Sequence, residues 1–203
     1  MSQFSSPRKR LVGLDFDDTV VDTTGAVMRS IEQELGKSVE PGNISDFGYW
    51  ESLGFSRVQA LEFCADLEAD GYPGIELIPG VDLLLEETKE ESDFFIVTAR
   101  RPVRQDVTLR TLATKGLDKF IKAIHHTQNP YYGGDLPTKA EMCLQLGLDV
   151  FIDNEVRHVN ACHKVGVRSF LFGSQGFRDI DPHDGVVEIP DWTIGGAYLK
   201  GLL

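Results

Sequence analysis

Cysteine is scarce. The 203-residue chain has three, Cys64, Cys143 and Cys162, far apart in sequence and without a CxxC spacing. This pattern supports neither a disulfide framework nor a zinc site, and it suits a reducing cytoplasm. Long apolar runs are also missing: none approaches the roughly 20 residues that a membrane helix needs. The basic start, MSQFSSPRKRLVGLDFD, runs into acidic residues before an apolar signal region can form, so neither secretion nor membrane insertion is expected. Positive charge is the third deficit, with 20 Lys and Arg against 32 Asp and Glu and a net charge of -12. Nonspecific affinity for nucleic acid comes from neutralising phosphates with basic side chains. A nucleic acid polymer is therefore a poor partner, and small substrates or protein partners are better ones.

What remains is ordinary globular composition, 41% hydrophobic and 26% charged, enough for one substantial core and a small inserted module. Apolar runs of strand length recur at LVGLDF (11–16), FFIVTA (94–99), KAIHHT (122–127), DVFID (149–153) and RSFLF (168–172), with helix-like segments between them. Short, nearly continuous apolar strands alternating with amphipathic helices predict an α/β fold with a doubly wound, Rossmann-like parallel sheet. In such sheets ligands bind beyond the carboxyl ends of the strands, and Asp15, Asp17, Thr98 and Asp153 all stand at or just past those ends.

The gap between the first two strands is too long for one crossover helix. Thr24 opens a helical pattern with Val27, Ile31 and Leu35 on one face and Gly36 as its stop, and Ser56 opens another with Val58, Leu61 and Ala65, ending near Gly71. Residues 20–78 are thus expected to form a helical cap, and residues 11–19 with 79–203 the core domain. The cap segment holds eleven acids against three bases, so it is no clamp for a polyanion. From Pro79, PGVDLLLEETKEE supplies the crossover helix, and a short tail, AYLKGLL, is expected to close the sheet edge.

The first strand ends in three carboxylates, Asp15, Asp17 and Asp18. Like charges at one place need an offsetting cation. DFDDT resembles the first motif of the haloacid dehalogenase superfamily of phosphohydrolases, an Asp nucleophile followed two positions later by an Asp acid/base. The other motifs of that family follow in order: FFIVTAR with Thr98, PTKAEM with Lys139 and VFIDN with Asp153. The resemblance runs from about residue 11 to about 172.

It implies that Asp15 is the nucleophile and forms an aspartyl phosphate, and that Asp17 is the acid/base. It also implies that Thr98 and the backbone N–H of Ala99 bind the phosphoryl oxygens, and that Lys139 supplies positive charge to them. Mg2+ would be held by Asp15, the main-chain carbonyl of Asp17, and Asp153. Asn154 stands where many relatives carry a second Asp, and the other common form fails at Arg157 and His158. Asp17 separates the phosphatases from the dehalogenases, which need no acid there.

The resemblance thus implies a phosphomonoesterase acting on a small phosphorylated substrate. A phosphotransferase or phosphomutase would use the same motifs, and a noncatalytic phosphate-binding module would fit Asn154. The TARRP and FIDN segments bear some resemblance to 5'-nucleotidases. In FGYWESLGF (47–55) the aromatics would either stack a nucleobase or fill a small helical core. Arg100, Arg101 and Arg104 are candidates for reaching the substrate, although helix-start arginines are usually solvated. The histidines lack partners at metal-ligand spacing.

Overall fold

The computed structural model describes residues 8–40, 42–44, 46–129, 135–173 and 180–201. Six strands form one sheet: β1 Arg10–Leu14, β2 Ser92–Thr98, β3 Ile121–His126, β4 Val150–Asp153, β5 Arg168–Phe172 and β6 Val187–Ile189. Their order is β3-β2-β1-β4-β5-β6, and every neighbouring pair is parallel. The expected strands are all present, each within about two residues of its reading. The sheet edge is formed by β6 and not by the tail, because β6 pairs with β5 while the last helix, α8 (Trp192–Gly201), packs on α4 (Val81–Thr88).

Both faces of the sheet are covered, and the period-two alternation of a strand assigns its residues to each face. In β4, Val150 and Ile152 join one cluster with Leu84 and Leu85 of α4, Leu112 of α5 (Gln105–Thr114) and Leu199 of α8. Phe151 joins another with Ala140 and Cys143 of α6 (Lys139–Leu146) and Cys162 of α7 (Val156–Lys164). Gly13 has a packing role: a Cβ there would stand 2.5 Å from Leu148 Cδ1, so its absence from β1 lets Leu148 and Phe151 close on the central strand.

Between β1 and α4 run three helices, α1 Thr23–Leu35, α2 Phe47–Ser52 and α3 Arg57–Asp70. Gly36 and Gly71 end α1 and α3 in the left-handed conformation, and Ser56 with Gln59 forms a capping box on α3. The apolar face read for α3 is corrected. Val58 is exposed, and the helix instead turns Ala60 inward, with Phe63, Cys64 and Leu67 packed against a cluster of Val27, Ile31 and Trp50. Leu61 and Ala65 are only half-buried.

The two ends of the segment are tied together. The Ile78 N–H donates to the Val20 carbonyl, and the Asp22 N–H to the Glu76 carbonyl, both at 2.9 Å. Trp192 of α8 donates its indole N–H to the Thr19 carbonyl at 2.9 Å. Among the described residues no helix is long and apolar enough to cross a membrane.

Candidate active site

The strand order makes β1 the point where the chain first winds one way, to β2 and β3, and then the other, to β4 and β5. A crevice opens beyond the carboxyl ends at such a switch. Asp15 follows β1, with its N–H bonded to the Ile152 carbonyl of β4 at 2.8 Å, and Asp153 is the last residue of β4. Thr98 ends β2, and the register that sets Leu14 opposite Ile96 brings it out near the level of Asp15.

Lys139 stands between the two carboxylates. Its Nζ lies 2.7 Å from Asp15 Oδ1 and 2.7 Å from Asp153 Oδ2, and all three residues are buried. It is the first residue of α6, after a capping box of Thr138 and Glu141. A helix start disfavours a cation, and the paired carboxylates supply the compensation. The Glu155 N–H, at 2.7 Å, takes the other Asp153 oxygen. Burial works against the Lys139 ammonium, but Asp15 and Asp153 outweigh it and raise its pKa well above the ordinary value. Asp15 goes up as well: burial, with the charges of Asp153 and Asp17, exceeds what Lys139 takes away.

Asp17 belongs to a second pair. Arg100 holds it with Nη2 at 2.7 Å from Oδ1 and Nε at 3.0 Å from Oδ2, and the Thr23 hydroxyl also donates to Oδ1. Burial pushes the Asp17 carboxyl up, yet the Arg100 charge and these hydrogen bonds prevail, and its pKa lies below the ordinary range. Arg100 is itself buried. Its backbone N–H donates to the Thr98 hydroxyl at 3.1 Å. The loop after β2 is pinned to β3 and the residues beyond it: Thr127 N–H donates to the Thr98 carbonyl at 2.8 Å, Asn129 Nδ2 to the Ala99 carbonyl at 2.8 Å, and His126 Nδ1 lies 2.8 Å from the Arg100 carbonyl.

The third carboxylate of the opening motif turns away. Asp18 takes a left-handed φ of 54° and accepts the Thr24 N–H at 2.7 Å and the Thr24 hydroxyl at 2.6 Å. Burial pushes its carboxyl up to about 6. It organises the start of α1 and does not face Lys139.

One sequence expectation changes, and one open alternative is decided. The arginines after β2 are drawn inward: Arg100 is buried and Arg101 and Arg104 are half-buried, Arg101 donating through Nε and Nη2 to Glu68 of α3 at 2.9 and 2.5 Å, and Arg104 burying its Nε. The aromatics of residues 47–55 fill a helical core and form no open wall. Trp50 is buried against Phe55 and Phe63 at 5.4 and 5.9 Å between centroids, and its Nε1 donates to the Ile44 carbonyl at 2.8 Å. Tyr49 donates its hydroxyl to the Glu40 carbonyl at 2.7 Å. Cys143 and Cys162, distant in sequence, are buried thiols with their sulfurs 3.8 Å apart. Thr23, Glu68 and Tyr72 escaped the sequence reading, because nothing in their spacing from DFDDT or TARR signals contact before the helices fold back.

A divalent cation fits the chemistry of the Asp15 side of the crevice. Two buried carboxylates face one ammonium, which leaves one negative charge in excess in a place where burial makes it costly. Oxygen donors suit a hard cation. Among the described residues no group of three or more His, Cys, Asp or Glu side chains is placed to hold a metal. A metal here would therefore draw on Asp15, Asp153 and main-chain oxygen.

The fold is that of the haloacid dehalogenase-like hydrolases. The chain superimposes on such a hydrolase from Streptococcus pneumoniae with a TM-score of 0.62, at 17% identity, over 94% of this chain and 98% of that one. On a provisionally assigned phosphatase from Clostridium difficile the TM-score is 0.68, at 15% identity, over 98% and 100%. By sequence it is similar to a protein of Halalkalibacterium halodurans provisionally named a nucleotidase, 27% identical over 192 residues, which span 95% of this chain and 93% of that protein. No family model matches the chain.

Proposed function

We propose that the protein is a Mg2+-dependent phosphomonoesterase acting on a small phosphorylated metabolite through an aspartyl phosphate on Asp15, with a nucleotide as the first substrate class to try. The observation that carries this reading is the division of the crevice carboxylates: Asp15 and Asp153 share Lys139, while Asp17 is held apart by Arg100 and Thr23. The similarity to a provisionally named nucleotidase supports the substrate class.

An Asp15 oxygen attacks phosphorus as the bond from phosphorus to the leaving oxygen breaks, and that oxygen takes a proton from Asp17, which must enter the step protonated against the Arg100 charge that lowers its pKa. Water then attacks the phosphorus of the aspartyl phosphate and gives a proton to Asp17. The bond from phosphorus to Asp15 breaks, and inorganic phosphate leaves. Lys139 keeps positive charge beside the reacting group, which a dianion approaching a carboxylate requires. Thr98 and the Ala99 N–H bind the phosphoryl oxygens. Mg2+, held by Asp15, Asp153 and the Asp17 carbonyl, would add charge stabilisation of the same kind.

In this reading residues 20–78 act as a cap over a core of residues 11–19 and 79–203, and the free cysteines suit the cytoplasm. The test is release of phosphate from p-nitrophenyl phosphate and from a panel of nucleoside monophosphates, with and without Mg2+, alongside calorimetric titration of Mg2+ into the protein. Expected are Mg2+-dependent turnover and a binding isotherm weakened by Asp153→Asn. No turnover on any phosphate overturns the reading.

A further inference from the structure

We infer that Arg100 is the positioning residue of Asp17 and not a contact to substrate; the inference rests on the phosphatase reading above. The guanidinium offers five N–H donors in a rigid fork, and here each of its three nitrogens faces a partner inside the protein. Its Nε and Nη2 face the Asp17 carboxylate, and Nη1 lies 3.5 Å from the Thr108 hydroxyl. Two rings lie against it, with centroids 4.5 Å (Phe16) and 5.0 Å (Tyr72) from the guanidinium carbon. The side chain is buried, with only 3% of it exposed, as the pairing with Asp17 requires.

The distribution of donors on Asp17 adds a detail. Oδ1 accepts from Nη2, Nε and Thr23, whereas Oδ2 accepts from Nε alone. Oδ2 is therefore the oxygen with capacity to carry the proton that moves to the leaving group and later comes from water. Arg100 fixes the plane of the carboxylate so that this oxygen keeps one direction. Phe16 and Tyr72 fix Arg100, Phe16 from the loop between the two aspartates and Tyr72 from the helical segment, so both parts of the chain set the direction of one carboxylate.

A positioning residue of the acid matters most when the leaving oxygen needs a proton. p-Nitrophenolate leaves as a stabilised anion, whereas the phenolate of phenyl phosphate, nearly the same shape, depends more on protonation. Arg100→Gln should lower kcat on phenyl phosphate by ~100-fold and on p-nitrophenyl phosphate by less than ~10-fold, with KM for both within about threefold. In an Asp17→Asn background, adding Arg100→Gln should cost less than about threefold, since the two act as a unit.

A rise in KM on both compounds with kcat retained would make Arg100 a substrate contact and overturn the assignment. Equal losses of kcat on both would reduce it to a structural role. Should Arg100→Gln not fold, Tyr72→Leu uncovers one face of the guanidinium and leaves the pair in place; the same split, smaller, is expected, and its absence counts against the assignment. Wild-type protein that hydrolyses p-nitrophenyl phosphate but not phenyl phosphate would show that no positioned acid operates. Wild-type protein inert on both would overturn the phosphatase reading itself, and this role with it.

Discussion

The carboxyl edge of the sheet and the helical segment 20–78 are both rich in acids, and they treat them in opposite ways. At the sheet edge Asp15 and Asp153 are buried, Asp17 is half-buried, and Lys139 and Arg100 match them. In the helical segment the acids lie at the surface or half-buried, with Glu68 the one buried exception among the described residues. Glu68 reaches out of the segment to Arg101, next to the residue that holds Asp17. Burying a charge is expensive unless it is paired, so a paired buried acid marks a site or a joint, whereas the number of acids marks nothing.

The largest way to break this contrast is to remove the charge that the chemistry uses. Asp15→Asn should cut phosphate release at least ~10,000-fold, with the circular dichroism spectrum unchanged. Turnover near that of the wild type would refute the nucleophile assignment.

Lys139→Met comes next and strikes both function and stability. Position in the sequence alone suggests a charge effect with little loss of stability, but burial between two carboxylates adds a cost. Removing one partner of a buried ion pair typically destabilises by ~3–5 kcal/mol. Urea unfolding should show such a drop, partly restored by added Mg2+, together with turnover lowered by orders of magnitude. A variant as stable as the wild type would mean that the carboxylates tolerate isolation, contrary to the contrast drawn above.

Trp50→Ala tests the other region. Truncating a buried Trp costs ~3–5 kcal/mol, but the apolar cluster around it is distinct from the main sheet cluster, which it meets through Tyr72. Hydrogen exchange should speed up in α1 to α3 while β1, β2 and β4 keep their protection. Losses on a nucleotide and on p-nitrophenyl phosphate should be equal, since Trp50 is buried and offers no face for a base. A loss confined to the nucleotide would restore the stacking role.

The smallest effects sit at the joint. Glu68→Gln weakens a charge-assisted pair worth ~1.5–3 kcal/mol at most and relieves a like charge near Cys64. Burial, with that charge, pushes the Cys64 thiol up to about 11, so at pH 8 little thiolate exists and alkylation by iodoacetamide should be slow. Removing the Glu68 charge lowers the thiol pKa and should speed alkylation modestly. An unchanged rate would separate the two residues.

Much of the site was legible because parallel strands announce themselves as short apolar runs and the crevice lies at their carboxyl ends. Asp15, Lys139 and Asp153 could be assigned to one place from that rule and from the motif order. Arg100 was legible as a candidate but not in its direction, since TARRP looks the same whether its arginines face water, substrate or a carboxylate. The α3 face was misread for a related reason: Val58 and Leu61 fit a helical period, but a thin helical layer has little interior, and Trp50 decided which side became buried.

The sequence by itself determined the local and repeating features: strand-length apolar runs, helix starts such as Ser56, stops at Gly36 and Gly71, and an acidic motif after the first strand. These depend on neighbours within a few residues. Only the tertiary structure decided how the charges were partnered, that Asp15 and Asp153 share Lys139, that Asp18 turns to Thr24, and that Asp17 belongs to Arg100, 83 positions away. A side chain's electrostatic partner depends on which groups are desolvated together, and desolvation exists only once the sheet and the helical segment have closed around them.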